Sequence, residues 1–226
     1  MPAEPSQFAA RLGLLLTAGL VFIILGLAGM HFFRRPLFGQ GMRFRLHQAG
    51  SLFFGLVHVT AAGMAPLAGT REVSIGIGLY LAGISLFLWA QDTVKQTPPY
   101  LAFSGVAPER LFVDGPYRFI RHPFYLSFIA VVFAAPIATL NPWLLASAFI
   151  MTVNYVVAAF EEEAAFARTP YAERHRVYAC QTGMFAPRPR ALAPAVRDSR
   201  LSPVVVGAIL LSVVLSVMLL ADILSP

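Results

Sequence analysis

Residues 124–160 read FYLSFIAVVFAAPIATLNPWLLASAFIMTVNYVVAAF and contain no charged side chain. A helix needs about 20 mostly apolar residues to cross the hydrocarbon core of a bilayer. The stretch therefore predicts two membrane helices, 124–140 and 143–160, joined by a turn at Asn141-Pro142. Each block is near the lower length limit and Pro136 interrupts the first, so a tight re-entrant or tilted hairpin is the alternative to two full crossings.

Four further apolar blocks surround this hairpin, at 12–31, 49–67, 73–90 and 204–221. Of the 226 residues, 58% are hydrophobic and only 12% are charged. A soluble domain carries about 25% charged residues to cover its surface. The sequence therefore predicts an all-α integral membrane protein with about six transmembrane helices.

The basic residues lie mainly in three of the connecting segments, 32–48, 91–123 and 161–202. If the N-terminus is outside, these segments are all cytoplasmic, and only Arg11 and Arg71 of the 17 Lys and Arg residues lie outside. The positive-inside rule therefore predicts that both termini are outside and that the charged segments face the cytoplasm. This bias also accounts for the sequence pI of ≈ 10.0, which then gives no indication of nucleic-acid binding. The modest loops and the absence of targeting signals favour a bacterial inner membrane, and the endoplasmic reticulum is the alternative location.

Two residues that could carry chemistry, Cys180 and His58, are not assigned a chemical role. Cys180 is the only cysteine, so the chain has no Cys-based metal site, and we predict no metal. His58 lies near the middle of a predicted span, where an ionisable group is a functional candidate. A lone histidine there is more often bonded to a neighbouring helix.

A polar motif stands at the entrance to the hairpin, where residues 113–125 read VDGPYRFIRHPFY. Pro123 suits the first turn of the helix, because its missing N–H costs little there. The N–H groups at this helix start, with Arg118 or Arg121, are a suitable place for a carboxylate. The alternative is a plain juxtamembrane anchor, since arginine and tyrosine are ordinary residues at a membrane interface.

Three consecutive carboxylates, Glu161, Glu162 and Glu163, stand at the other end of the hairpin. Consecutive helical residues do not share a face, so at most one or two of them point toward the motif at 113–125. Acidic groups near a helix C-terminus are unfavourable. A cationic ligand would give them a purpose; the alternative is that they begin a water-exposed helical extension paired with cations such as Arg168.

The string from Gly115 to Tyr125, followed after a helical hairpin by Glu162-Glu163, resembles the isoprenylcysteine carboxyl methyltransferase family and the related phospholipid methyltransferases. The resemblance extends from residue 113 to residue 188, and its last part is loose. Prenylcysteine enzymes usually have an arginine about one turn before the glutamate pair, where this sequence has Ala158 and Ala159.

The resemblance implies a membrane methyltransferase that binds S-adenosylmethionine between the hairpin and the C-terminal segment, without a metal and without a glycine-rich Rossmann loop. The acceptor would be a lipid-soluble small molecule or a lipidated substrate that enters from the bilayer. The site residues carried over from the family are given together. They are His122 and Arg121 as catalytic residues, and His122, Tyr125, Tyr117, Arg118, Gly115, Glu162 and Glu163 as cofactor-binding residues.

This interpretation divides the chain into a membrane scaffold at 1–92, a methyltransferase-like domain at 93–190, and a linker with an extra C-terminal helix at 191–226. The acceptor group is left open among carboxylate, amine, thiol and hydroxyl, and His122 either orients the cofactor or acts as a base. Two other functions remain. One is a membrane reductase that uses NADPH and holds its phosphates with the arginines of 110–121. The other is a non-enzymatic membrane protein with a degenerate site.

Overall fold

The structure is a computed structural model that describes residues 5–36 and 41–188. Within these ranges the regular structure is helical. In chain order, the helices are α1 (Pro5–His31), α2 (Met42–Met64), α3 (Thr70–Val94), a 3₁₀ helix (Gly115–Arg118), α4 (Pro123–Thr139), α5 (Pro142–Phe166) and α6 (Ala172–Gln181). The predicted span at 204–221 lies outside the described residues.

Three of the predicted spans are confirmed as helices long and apolar enough to cross a membrane: Gln7–His31, Thr70–Val94 and Pro142–Phe166. Helix α4 is apolar but only 17 residues long. Helix α2 has 23 residues, and its first turns carry Arg43, Arg45 and His47. These two segments form helices as predicted, while their full crossing stays a prediction.

The turn between α4 and α5 forms as its sequence predicts. Leu140 adopts a left-handed conformation, and Asn141 caps α5 by accepting hydrogen bonds from the N–H groups of Trp143 (3.0 Å) and Leu144 (3.3 Å). Pro142 occupies the first turn of α5. Helix α4 continues through Pro136 to Thr139, so this proline does not end the helix.

Helices α3 and α4 form the tightest contact of the bundle, because small residues let their backbones approach. A Cβ atom on Gly83 would lie 2.9 Å from the Ser127 carbonyl oxygen and 2.8 Å from a methyl group of Val131. Two turns earlier in α3, a Cβ on Gly76 would lie 2.7 Å from the Ala134 carbonyl oxygen. The start of α4 is thereby held firmly beside the end of α3.

Polar pairs instead join α2 to α5. His58, which is fully buried, bonds through Nε2 to the Ser147 hydroxyl at 2.8 Å, so the histidine is tied to a neighbouring helix as expected. Two more pairs follow toward the opposite end of α2: Asn154 with His47 at 2.9 Å, and Arg43 with Glu161 at 2.6 Å.

The helices alternate in direction, so alternate connecting segments lie at the same end of the bundle. The two ends differ in charge because the basic segments are gathered at one of them. At one end Arg11 of α1 donates to the carbonyls of Gly63 and Ala65, at the end of α2. At the other end the described parts of the three basic segments meet. Arg34 pairs with Glu109 at 2.6 Å, and Arg121 pairs with Glu163 at 2.6 Å. The segregation of charge that the sequence predicts is therefore present in the fold.

Candidate functional site

A cavity of ≈ 300 Å³ lies at the basic end of the bundle. Three parts of the chain surround it: the connection 97–112, the start of α4 with the preceding 3₁₀ helix, and the end of α5 with α6. The two long polar segments thus converge on the hairpin, as the sequence predicts.

The 3₁₀ helix is seated against α3 by Gly115. This glycine has a positive φ of 56°, and a Cβ atom there would run into Thr93, 3.1 Å from its methyl group and closer to its hydroxyl. Only glycine combines this backbone conformation with so close an approach. Gly115 therefore lets the 3₁₀ helix lie close to α3, and it does not line the cavity.

The backbone of Arg121 and His122 is held by a segment beyond α6. The Arg121 N–H donates to the Gly183 carbonyl at 2.9 Å, and the His122 N–H donates to the Met184 carbonyl at 3.2 Å. A Cβ on Gly183 would collide with the Ala186 carbonyl oxygen. This short pairing fixes His122 immediately before α4, with Pro123 in the first turn as predicted.

The three glutamates point in three directions, as their helical spacing requires. Glu161 pairs with Arg43 of α2 at 2.6 Å and also borders the cavity. Glu162 lines the cavity, and its Oε2 lies 3.9 Å from Nδ1 of His122. Glu163 turns away from the cavity toward the buried side of Arg121 and His122.

Arg121 is committed to holding the site together. Its Nε and Nη2 donate to the two oxygens of Glu163 at 2.6 and 3.2 Å, which is the bidentate geometry of a strong ion pair. Its Nη1 donates to the carbonyls of Ala179, at 3.2 Å, and Thr182. With its donors so engaged, Arg121 joins α4, α5 and α6, although its side chain also borders the cavity.

Aromatic rings cover the apolar side of the cavity. The buried His122 ring stacks on Tyr125 with centroids 5.6 Å apart, and Tyr125 stacks in turn on Tyr155 at 6.2 Å. The Tyr178 hydroxyl donates to the Tyr117 carbonyl at 2.6 Å and so ties α6 to the 3₁₀ helix. Burial raises the pKa of Tyr117 well above its usual value, so this phenol keeps its proton.

His175 of α6 packs flat on Phe166 at the end of α5, with ring centroids 4.4 Å apart and an interplanar angle of 6°. Burial lowers the pKa of His175 from its usual value, since the charged imidazolium loses hydration there. The neutral ring therefore favours the docking of α6.

The connection 97–112 is fastened over the cavity by Arg34. This guanidinium lies 4.4 Å from the centroid of the Tyr100 ring and pairs with Glu109 at 2.6 Å. Its hydrogen bond to Glu109 lowers the pKa of that carboxyl group. Two backbone bonds, from Arg34 N–H to the Pro99 carbonyl and from Leu101 N–H to the Arg34 carbonyl, complete the attachment.

The predicted site residues separate into two groups. Tyr117, Arg121, His122, Tyr125 and Glu162 line the cavity, whereas Gly115, Arg118 and Glu163 do not. The sequence interpretation did not include Arg110, Arg168, His175 and Tyr178 among the site residues, although they also line it. The only signal for the last two was their spacing of three on a short polar helix, and for the arginines it was their place in the two converging segments.

In the described ranges 5–36 and 41–188, no group of three or more His, Cys, Asp or Glu side chains is placed to hold a metal ion.

Residues 72–174 match the family model described as phospholipid methyltransferase. The match begins in α3, contains the connection, the 3₁₀ helix and the α4–α5 hairpin, and ends in α6. No curated protein and no solved structure matches the chain. The resemblance seen in the motif at 113–125 and the glutamate pair is therefore confirmed at the level of this family, which is one of membrane methyltransferases.

Proposed function

We propose that this chain, which carries the phospholipid methyltransferase family segment at 72–174, is a membrane-embedded methyltransferase that uses S-adenosylmethionine and acts on a hydrophobic acceptor. The observation that supports it best is the position of Glu162. This carboxylate lines a cavity beside the stacked rings of His122 and Tyr125, within the family segment.

The residues around the cavity fit the chemistry of the cofactor. A cationic sulfonium with an α-amino group needs local negative charge, which Glu162 supplies. The rings of His122, Tyr125 and Tyr117 offer flat apolar faces and a cation–π surface. Arg110 and Arg168 line the cavity and form no ion pair with any carboxylate in the described part of the chain, so they are suited to the α-carboxylate.

This arrangement refines the roles expected from the sequence. Because Arg121 and Glu163 neutralise each other in a partly buried ion pair, we assign them to positioning His122. The charges that we assign to ligand binding are then those of Glu162, Arg110 and Arg168, which all line the cavity. Gly115 lets the 3₁₀ helix lie close to α3, and no direct cofactor contact is assigned to Arg118.

When bound, S-adenosylmethionine would supply a methyl group attached to a positively charged sulfur. The acceptor lone pair would form the new bond to the methyl carbon, and the sulfur would keep the electron pair of the broken C–S bond. The protein's part is alignment and exclusion of water. The hydrogen bonds of Arg121 to Glu163 and to the Ala179 carbonyl hold the His122 end of the cavity in place, and the connection 97–112 covers the cavity. A lipid-soluble acceptor enters from the bilayer side, near the start of α4.

We further propose that the cavity faces the cytoplasm of a bacterial inner membrane and that both termini lie outside. The basic end of the bundle supports this orientation through the positive-inside rule. The division into a scaffold at 1–92, a methyltransferase-like domain at 93–190 and an extra C-terminal helix within 191–226 belongs to the same proposal. Its middle part contains the hairpin and α6, which surround the cavity.

Calorimetric titration of the detergent-purified protein with S-adenosylmethionine tests this proposal. Removing a charged partner of a hydrogen bond costs about 1.5–3 kcal/mol, so Glu162→Gln should weaken binding roughly 10- to 100-fold. His122→Ala should weaken it as well. Glu173→Gln is the matched control, because Glu173 is exposed, pairs with Arg176 and does not line the cavity.

Absence of binding by folded wild-type protein, repeated in lipid nanodiscs, would overturn the proposal. The same preparation titrated with NADPH then tests the reductase. Binding that Glu162→Gln and Glu173→Gln reduce equally would place the cofactor elsewhere.

A further inference from the structure

The His122 ring lies between two carboxylates, and its two nitrogens lie at different distances from them. Nε2 lies 3.1 Å from Oε1 of Glu163, within hydrogen-bond distance, whereas Nδ1 lies 3.9 Å from Oε2 of Glu162. Glu162 lines the cavity and Glu163 does not. Nδ1 is therefore the ring nitrogen on the cavity side, and Nε2 is the one on the protein side.

The partner of Nε2 determines which nitrogen carries the proton. Glu163 is held as an ionised carboxylate by two hydrogen bonds from Arg121, and an ionised carboxylate only accepts hydrogen bonds. Nε2 must then be the N–H donor. In the neutral ring this leaves the lone pair on Nδ1, facing the cavity.

We propose that Nδ1 of His122 removes a proton from the methyl acceptor, and that Glu163 is the positioning residue that fixes the ring for this task. This inference rests on the proposed function and narrows its substrate class. The nucleophilic atom of the acceptor carries a proton in water, as an ammonium, thiol or hydroxyl group does. A carboxylate acceptor, which is already ionised, would not use this base.

The proton step is balanced by simple bond exchange. The acceptor's N–H, S–H or O–H bond breaks and its electron pair stays on the acceptor atom as the nucleophilic lone pair. The Nδ1 lone pair forms the new N–H bond, and the ring becomes an imidazolium that later releases the proton to water.

The groups around His122 can stabilise the positive charge of the imidazolium. Glu162 and Glu163 of α5 face the two nitrogens, and the positive Arg121 is neutralised by Glu163. Tyr125 of α4 stacks on the ring. From α6, His175 interacts electrostatically with His122, and the pKa of His175 is lowered mainly by burial. Tyr178 and Tyr117 complete the lining, and burial raises the pKa of both phenols.

The first test reads the tautomer directly, in the protein without cofactor or acceptor. In ¹⁵N-histidine-labelled protein, the signals that disappear in His122→Gln belong to this ring. We expect Nε2 to be the protonated nitrogen and Nδ1 the unprotonated one when the ring is neutral. Glu163→Gln, whose amide can donate to Nε2, should shift the proton toward Nδ1, while Glu173→Gln should leave it on Nε2. A wild-type ring with its proton on Nδ1 would overturn the proposal.

The second test separates proton removal from simple positioning. Methyl transfer from S-adenosylmethionine is measured to dodecylamine and to its β,β-difluoro analogue, whose amine is far less protonated at neutral pH. General-base catalysis contributes about 10²–10⁴-fold, so His122→Gln should lose that much with dodecylamine and much less with the fluorinated amine. Glu163→Gln should also lose more activity with dodecylamine than with the fluorinated amine, although the difference should be smaller. Glu163→Asp, which keeps the carboxylate, should recover part of the activity that Glu163→Gln loses.

The outcomes distinguish the two levels of the argument. Equal losses with both amines, or dodecanoate methylated as fast as dodecylamine, would overturn the base assignment and leave the methyltransferase proposal standing. If wild-type protein neither binds S-adenosylmethionine nor methylates any of these lipids, the proposed function itself falls, and the base assignment falls with it.

Discussion

Replacing Gly115 with alanine adds one methyl group at the point where the 3₁₀ helix meets α3. Gly115 has a φ of +56°, a left-handed conformation that costs other residues roughly 1–2 kcal/mol. The new methyl would also press on Thr93, 3.1 Å from its Cγ2 and 3.2 Å from its Cβ. Overpacking of this kind costs about 1–3 kcal/mol. Together, Gly115→Ala should destabilise the protein by about 2–5 kcal/mol.

The chain offers a control that isolates the backbone contribution. Gly105 also has a positive φ, of 73°, but a Cβ there would meet nothing within 4 Å. Gly105→Ala should therefore cost only the strain, roughly 1–2 kcal/mol. Thr93→Ala combined with Gly115→Ala should recover the packing part, about 1–3 kcal/mol. Thr93→Ala alone removes a 2.9 Å bond within its own helix and should cost no more than about 1 kcal/mol.

The free energy of unfolding is measured by titrating micelles of the protein with sodium dodecyl sulfate and following tryptophan fluorescence. Trp89 of α3 lies 6.1 Å from Phe119, just after the 3₁₀ helix, and so reports on this contact. If Gly115→Ala costs no more than Gly105→Ala, or if Thr93→Ala does not rescue it, the close seating of the 3₁₀ helix on α3 is wrong.

Two further predictions concern the attachment of α6. Arg121→Met should cost about 3–5 kcal/mol in the same titration, because the partly buried Glu163 loses its arginine partner and two carbonyls lose their donor. Adding Glu163→Gln should recover part of this cost. A cost below about 1 kcal/mol, the level of a surface pair, would contradict the role of Arg121 in holding α6. For His175, the lowered pKa in the folded protein determines the sign of the pH dependence of stability. As the pH falls through the ordinary pKa of 6.5, the unfolded chain is protonated at this residue more readily than the folded protein. Acidification therefore lowers the free energy of unfolding through this group. Compared with His175→Phe, the wild-type protein should lose stability between neutral and mildly acidic pH, and parallel curves for the two proteins would refute the assignment.

The sequence was sufficient for three helices long enough to cross a membrane and for the hairpin. Apolar burial in a bilayer depends on about 20 consecutive residues, so it can be read from the chain without knowing what each helix packs against. The turn is equally local, since Asn141 bonds to N–H groups only two and three residues away. The motif at 113–125 placed Pro123 in the first turn of α4 for the same reason.

The sequence also identified which charged segments meet, but not what each charge does there. Helical spacing required the three glutamates to diverge, and only the position of the neighbouring helices sends Glu162 to the cavity and Glu163 to Arg121. That ion pair joins residues 42 positions apart, and the bond from Tyr178 to Tyr117 joins residues 61 apart.

Such contacts depend on how α4, α5 and α6 are placed in three dimensions. Arg121 looked like a ligand-binding cation because its type and its place in the motif suit one. Its donors are taken up by Glu163 and by carbonyls of α6 and the residue that follows it, and no local pattern encodes those partners. The sequence alone thus predicted the helices and the polar segments that meet at the cavity, whereas the tertiary structure decided which charged side chains line the cavity, because those contacts join residues far apart in the chain.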